Sequence, residues 1–102
     1  ATVIASAQAM LQQGLWEETE AILTMAVAMA PGNAEILYDL AAIQSILNKS
    51  DLALSNLNQA IEFNKAQRET NQNIQDLLSI VLPLDRRFDP IRKNPLFPKI
   101  EQ

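Results

Sequence analysis

The chain has 102 residues, a formal net charge of −4, and neither cysteine nor histidine. This length supports a single domain with a modest core. Without cysteine and histidine, the chain cannot form disulfides, thiolate nucleophiles, imidazole bases or most transition-metal sites. Aromatic residues make up 5% of the chain and only two residues are glycine. Strands and tight turns recruit these residue types, so this composition favours helices over sheets.

Charge is divided unevenly along the sequence. The charged residues before Lys49 are all acidic: Glu17, Glu18, Glu20, Glu35 and Asp39. The basic residues gather after Leu82: Arg86, Arg87, Arg92, Lys93 and Lys99. Nucleic-acid binding needs clustered Lys and Arg, so we expect none from the acidic body. We also expect no membrane span, because the longest apolar run, 21–30, is too short to cross a bilayer.

The first two predicted helices meet at Gly14. Residues 1–13 carry apolar side chains at helical spacing, and Gly14 suits the left-handed position that ends a helix. A second helix follows and ends at Pro31 and Gly32. Its predicted buried side is formed by Ile22, Leu23, Ala26, Val27 and Met29. The helical pattern is already under way at Ala1, so we expect the chain to be a fragment of a longer protein.

Three further helices are predicted after this break. The third runs from the N-cap Asn33 to about residue 47, and the fourth from about residue 50 to near Asn64. The fifth runs from about 66 to 81, since Pro83 disfavours helix in the residue before it. Their predicted buried residues are Leu37, Leu40, Ala41 and Leu47, then Leu54, Leu57, Ala60 and Ile61, then Ile74, Leu77, Leu78 and Val81.

The remaining segment, 84–102, contains three prolines and predicts a short helix near 85–92.

The sequence also repeats itself at an offset of 34 residues. Ala7 falls on Ala41, Thr19 on Ala53, Leu23 on Leu57 and Ala26 on Ala60. Small side chains at fixed positions allow two helices to approach closely, and such helix pairs stack because one pair cannot bury its own face. A 34-residue helix–turn–helix unit with this pattern resembles the tetratricopeptide repeat (TPR) family. Pro31 matches the terminal proline of the first unit, whereas Lys65 replaces it in the second. The alternative to a break near Asn64 is therefore that the fourth and fifth helices partly merge.

The resemblance implies an all-α fold, a short right-handed α-solenoid of antiparallel helix pairs forming one TPR-like domain over 1–102. Repeat one covers 1–32, repeat two covers 33–65, a capping helix covers 66–82 and a folded-back tail covers 83–102. The tail resembles an ending often found after bacterial repeats of this family, where it covers the open end of the stack. This resemblance implies that Phe88, Ile91 and Phe97 pack onto the rest of the chain and that the arginines remain outward.

In this family the first helix of each unit lines a concave groove that binds peptides. The resemblance therefore nominates these groove residues: Ile4, Gln8, Leu11, Glu35, Tyr38, Ala42, Ser45, Glu69, Gln72, Asp76 and Ser79. Tyr38 is the expected anchor, because it offers a flat ring and a hydroxyl. The alternative is that Tyr38 only covers the neighbouring helix.

One subgroup of the family holds a partner's C-terminal carboxylate with Lys, Arg and Asn on this face. The corresponding positions here are Ile4, Gln8, Asp39, Glu69 and Asn73. A neutral or basic peptide segment is therefore the expected partner.

Taken together, these features predict a non-catalytic protein–protein interaction module or scaffold, with no cofactor. No serine has a plausible base, and no carboxylate pair has a catalytic setting. Glu17, Glu18 and Glu20 cannot converge on one metal ion without other ligands, so no metal site is expected. Two alternatives stay open: a regulatory or substrate-recruiting appendage of a larger enzyme, and a self-association module. The expected state is a monomer or weak homodimer.

Overall fold

The computed structural model describes the backbone of residues 2–99 and the side chains of residues 13–99. The described chain contains three long helices followed by three short helical turns. These are α1 (Thr2–Met29), α2 (Ala34–Ile46), α3 (Ser50–Thr70), a π-helical turn (Leu77–Val81) and two 3₁₀ turns (Leu82–Leu84 and Arg86–Ile91). No strand occurs between residues 2 and 99, so the predicted all-α class is confirmed.

The first helix is continuous through Gly14, so the predicted helix end at this residue is wrong. Gly14 does not adopt a positive φ, the conformation that favours glycine at a helix end. A glycine in a helix interior costs about 1 kcal/mol relative to alanine, and good helix formers on both sides can offset this. Residues 2–29 therefore form one helix where the 34-residue offset predicts a helix pair.

Helix α2 corresponds to the predicted third helix, and it begins and ends where the sequence predicts. Asn33 is its N-cap, and the Asn33 side-chain oxygen accepts a hydrogen bond from the Ile36 amide at 3.1 Å. Beyond its C-terminus, Asn48 has a φ of 61°. Asparagine tolerates this left-handed conformation better than most residues, and the chain turns there into α3. The short connections on either side of α2 make consecutive helices antiparallel neighbours.

Helix α3 corresponds to the predicted fourth helix but continues past Asn64 to Thr70. The predicted fifth helix over 66–81 is therefore wrong. The side chain of Asn64 explains the change of direction. Its amide nitrogen donates to the Gln75 carbonyl at 2.9 Å, and its oxygen accepts from the Leu77 amide at 3.0 Å. This buried side chain holds the returning backbone against α3, so the segment after Thr70 folds back instead of extending a helix.

The hydrophobic core surrounds α2, which contacts α1, α3 and the 3₁₀ turn Arg86–Ile91. The core residues are Ala34, Leu37, Tyr38, Ala41, Ala42, Ala53, Leu54, Leu57, Ala60, Ile61, Leu77, Leu78, Leu82, Phe88 and Ile91. The buried positions predicted for the fourth helix are confirmed. Ala41, Ala53 and Ala60 are 0% exposed, so small side chains do lie where the helices are closest.

Residues 83–99, the described part of the predicted tail and here called the tail, close the core from one side. Phe88 is completely buried, Ile91 is buried and Phe97 packs against the same cluster. The predicted packing of these three residues is confirmed. The ring centroid of Phe88 lies 5.0 Å from that of Tyr38 and 6.5 Å from that of Phe97.

The tail arginines only partly follow the prediction that they remain outward. Arg86 is exposed, whereas Arg87 and Arg92 are half-buried. Arg92 donates to the carbonyls of Leu82 and Asp85, and its guanidinium lies 5.5 Å from the Phe97 ring centroid. Their guanidinium groups turn inward and donate to the carbonyls of Leu82 and Asp85 and to the Asp85 carboxylate.

Candidate functional site

The predicted groove residues of α2 are mostly inaccessible. Tyr38, Ala42 and Ser45 recur at helical spacing on one face, and all three are buried. Phe88 of the tail covers the Tyr38 ring, while Glu35 remains exposed. A peptide could reach this face only if the tail moved away. Peptide binding by these residues therefore stays a prediction.

The remaining predicted groove residues lie in different surroundings. Glu69 is exposed near the end of α3, and Gln72 is exposed in the connection that follows. Asp76 is engaged, because its carboxylate pairs with Arg68 at 3.0 Å and accepts from the amides of Leu78 and Ser79. Its neighbour in the predicted set, Ser79, is exposed. The side chains of Ile4, Gln8 and Leu11 lie outside the described residues.

Asp76 holds its charge through local hydrogen bonds. Burial opposes ionisation of the carboxyl, but hydrogen bonds from Ser79 and the nearby Arg68 guanidinium outweigh it and lower the pKa of Asp76. The role of Asp76 that the structure shows is to start the turn Leu77–Val81.

A buried polar network joins α2 to the tail. The Tyr38 hydroxyl donates to Asp85 Oδ2 at 2.8 Å, and Arg87 Nη2 pairs with the same oxygen at 2.7 Å. Arg87 also reaches Asp39 of α2 at 3.4 Å. The Arg87 guanidinium lies 5.9 Å from the Tyr38 ring centroid. Sequence reasoning singled out Tyr38 but not Asp85, because the two are far apart in the chain.

The charges of this network stabilise one another. Burial raises the pKa of Tyr38, and the hydrogen bond to Asp85 raises it further. Burial also opposes ionisation of Asp85, yet hydrogen bonds from Arg87 and Tyr38 hold the pKa of that carboxyl below its ordinary value. The hydrogen bond to Asp85 raises the pKa of Arg87 in turn. The Tyr38 hydroxyl, the Asp85 carboxylate and the Arg87 guanidinium thus pair with one another and join α2 to the tail.

A different surface is exposed on α1. Leu15, Ile22, Met25 and Met29 are 55%, 67%, 68% and 86% exposed. Together with Glu18 they recur at intervals of three and four residues, which places all five on one side of the helix. We call these five residues the α1 free face. The predicted burial of Ile22 and Met29 is wrong.

The reason is that α1 packs mainly on α2. The half-buried residues of α1 follow a separate stripe: Thr19, Glu20, Leu23, Ala26, Val27 and Ala30. This stripe lies about a quarter turn from Ile22 and Met29, since successive residues are about 100° apart. The apolar residues of the free face alternate along the sequence with those of the half-buried stripe. This double pattern is the sequence signal that indicates a second apolar side on α1.

The charged residues of α1 are all acidic. Glu17 and Glu18 are exposed, and neither forms an ion pair within the described range. Glu20, on the packed side, pairs with Lys49 at 2.6 Å and accepts from Gln44 at 3.2 Å. From residue 21 to residue 29 the helix carries no charge. The face is therefore apolar over about two turns from Ile22 to Met29, and Glu18 is its one charged residue, between Leu15 and Ile22.

One open cavity of about 280 Å³ lies between the π-helical turn and the tail, lined by Leu78, Leu82, Pro83, Arg92, Phe97, Pro98 and Lys99. Its lining is mostly apolar, and Arg92 already donates to backbone carbonyls of the chain. A specific ligand site needs several polar groups free to converge on the ligand, and this cavity lacks that arrangement.

Within the described range, none of the helices is long and apolar enough to cross a lipid bilayer. Comparison of the chain with known protein families, with curated proteins and with solved structures finds no match. The function must therefore be inferred from the surfaces that the chain itself presents. The α1 free face gathers four large apolar side chains, each more than half exposed, on one side of a single helix.

Proposed function

We propose that this chain is a non-catalytic protein-interaction domain that binds a helix of another protein on the α1 free face. The observation that carries the proposal is the exposure of Leu15, Ile22, Met25 and Met29, each more than half exposed on one side of one helix. A helix with a second apolar stripe, beyond the one that packs on its own fold, is typical of a surface awaiting a partner.

Scattered apolar residues on a protein surface need no explanation. The free face differs because its apolar members are aligned and the helix is uncharged over 21–29. Full burial of a Leu, Ile or Met side chain contributes about 1.5–3 kcal/mol. An amphipathic partner helix with apolar residues at three- and four-residue spacing could therefore gain several such contributions along this face.

The TPR resemblance supports the same class of function for the second unit. Its helices correspond to α2 and α3, joined by a short turn, and Ala41, Ala53 and Ala60 are fully buried between closely packed helices. The first unit lacks its helix pair, because α1 is continuous. A TPR-type solenoid is thus a proposal that rests on residues 33–65, and peptide capture in its groove would require the tail to leave Tyr38.

A photo-crosslinking experiment tests the interaction surface. A benzoylphenylalanine residue is placed at Met25 in one variant and, as a control, at the exposed Gln59 of α3. Each variant is irradiated in a lysate of the cells that make the protein. We expect discrete protein adducts at position 25 and none of the same mass at position 59.

The adducts at position 25 should disappear with Ile22→Asp, which places a charge in the centre of the face. They should persist with Thr24→Asp, which adds the same charge on an exposed position of α1 outside the face. Adducts that survive Ile22→Asp unchanged, with the helical content intact, would show that this face is not the interaction surface. The enzyme-appendage hypothesis stays a prediction, since the same surface would serve it.

A further inference from the structure

We infer that the occupant of the α1 free face is an amphipathic helix that carries a lysine or arginine opposite Glu18. This inference rests on the proposed function and names the chemistry of the partner. It follows from the position of Glu18, from the lack of any base near it, and from the mismatch between this face and a second copy of itself.

Glu18 lies inside the apolar stripe. It follows Leu15 by three residues and precedes Ile22 by four, so a helix that covers those two side chains also covers Glu18. Glu18 has no ion-pair partner among the described residues. Covering a carboxylate without a partner costs several kcal/mol, whereas a lysine or arginine opposite it forms a charge-assisted hydrogen bond. A partner that covers the whole face must therefore supply a cation at this point.

A second copy of α1 cannot supply that cation. The chain has no basic residue before Lys49, and Lys49 already pairs with Glu20. In a parallel pair of α1 helices, the two Glu18 side chains oppose each other. In an antiparallel pair that sets Ile22 against Met25, each Glu18 faces a thioether of the other copy. Both arrangements bury a carboxylate without a donor, so Glu18 acts against self-pairing.

The exposed bases of the tail do not provide an alternative occupant from a second copy. Arg86 belongs to a helix of six residues whose apolar members, Phe88 and Ile91, are already buried in the core. Lys93 and Lys99 follow this helix in irregular segments. None of these three bases lies on a helix with an apolar stripe that is free to cover Ile22 and Met25.

Three synthetic helical peptides test the inference against the full chain. They share one leucine stripe at three- and four-residue spacing and differ only at the position that would face Glu18, which is Lys, Gln or Glu. Binding is followed by the fluorescence anisotropy of the labelled peptides. We expect the Lys peptide to bind at least about fivefold more tightly than the Gln peptide, and the Glu peptide to bind most weakly. Raising the salt concentration from roughly 0.1 to 1 M should reduce the difference.

Two matched variants locate the effect. Glu18→Gln should remove the preference for the Lys peptide, whereas Glu17→Gln, which removes an equal charge one position away and off the face, should keep it. A further variant, Glu18→Leu, completes the apolar stripe. We expect it to form a dimer in light scattering, while the wild-type chain stays monomeric at the same concentration.

The results separate the two proposals. Equal binding of all three peptides, weakened in each case by Ile22→Asp, leaves the free face as the binding surface and overturns the basic partner. Binding that Ile22→Asp does not change places the peptides elsewhere and contradicts the face itself. A wild-type dimer dispersed by Ile22→Asp makes a second copy the occupant and overturns the inference. Absence of binding by the Lys peptide up to about 1 mM also overturns it.

Discussion

The phenol hydroxyl of Tyr38 in α2 donates a hydrogen bond to Asp85 Oδ2 in the tail at 2.8 Å, across 47 positions of sequence. Phe88, three residues after Asp85, places its ring 5.0 Å from the Tyr38 ring. Tyr38 thus makes one polar and one aromatic contact with the same segment. Asp85 and Phe88 therefore cover Tyr38, which the TPR resemblance predicts to line a groove.

The first prediction concerns the hydroxyl of Tyr38. Tyr38→Phe keeps the ring against Phe88 and removes the donor to Asp85. Asp85 retains its pairing with Arg87 at 2.7 Å, so the carboxylate is not left without a partner. We therefore expect the free energy of unfolding to fall by about 0.5–1.5 kcal/mol, measured by urea titration.

A double-mutant cycle separates the hydrogen bond from other effects of this substitution. The same Tyr38→Phe change is made in an Asp85→Ala background, where the acceptor is absent. The loss there should be smaller than in the wild-type background. An equal loss in both backgrounds would mean that the hydrogen bond contributes no net stability.

The second prediction concerns acid. The pKa of Asp85 is below its ordinary value in the folded chain, so the unfolded chain binds the proton more tightly. The stabilisation from Asp85 is therefore complete above the ordinary carboxyl pKa of about 4 and is lost as the pH falls through the lower folded value. Asp85→Asn should make the free energy of unfolding decline less steeply below about pH 4.

Urea titrations at several pH values measure this slope. Glu62→Gln is the matched control for the loss of one negative charge, since Glu62 is exposed in the interior of α3 and forms no ion pair in the described chain. We expect a larger change of slope from Asp85→Asn than from this control. Identical acid slopes for Asp85→Asn and the wild type would contradict the assigned role of Asp85.

The third prediction concerns the burial of the tail. Phe88→Ala removes a fully buried ring between Tyr38 and Phe97. Large-to-small changes of this kind cost about 3–5 kcal/mol, because a cavity remains after the contacts are lost. Phe63→Ala is the control, since Phe63 is 39% exposed on α3. A loss from Phe88→Ala no larger than that from Phe63→Ala would show that the tail does not stabilise the core.

Helix α2 could be predicted because its signals are local and strong. Asn33 can cap only a helix that follows it, and the apolar spacing after it admits one face. The packing of Phe88 and Ile91 is implied by the resemblance of the tail to an ending that covers a repeat stack, and the structure confirms this packing. The closed face of α2 could not be predicted, because helical spacing identifies a face without identifying the segment that covers it.

The wrong predictions arise where the local sequence signal is weak or where distant contacts decide the structure. A glycine at position 14 changes helix stability by only about 1 kcal/mol, which neighbouring residues can outweigh. The end of the predicted fourth helix depended on Asn64, whose side chain bonds to Gln75 and Leu77 through contacts that no local pattern encodes. The predicted burial of Ile22 and Met29 is wrong because α1 is one continuous helix that packs mainly on α2, so that side of it has no neighbouring helix among the described residues.

The last prediction tests the continuity of α1. A Cβ atom added at Gly14 would meet nothing within 4 Å, and Gly14 has no positive φ. Gly14→Ala should therefore raise the helical content measured by circular dichroism and stabilise α1 by about 0.5–1 kcal/mol. If Gly14 instead ended a helix in the left-handed conformation, alanine there would be strained and would lower both quantities. Gly14→Pro is the opposite control, because proline in a continuous helix costs about 3 kcal/mol and should reduce the helical signal.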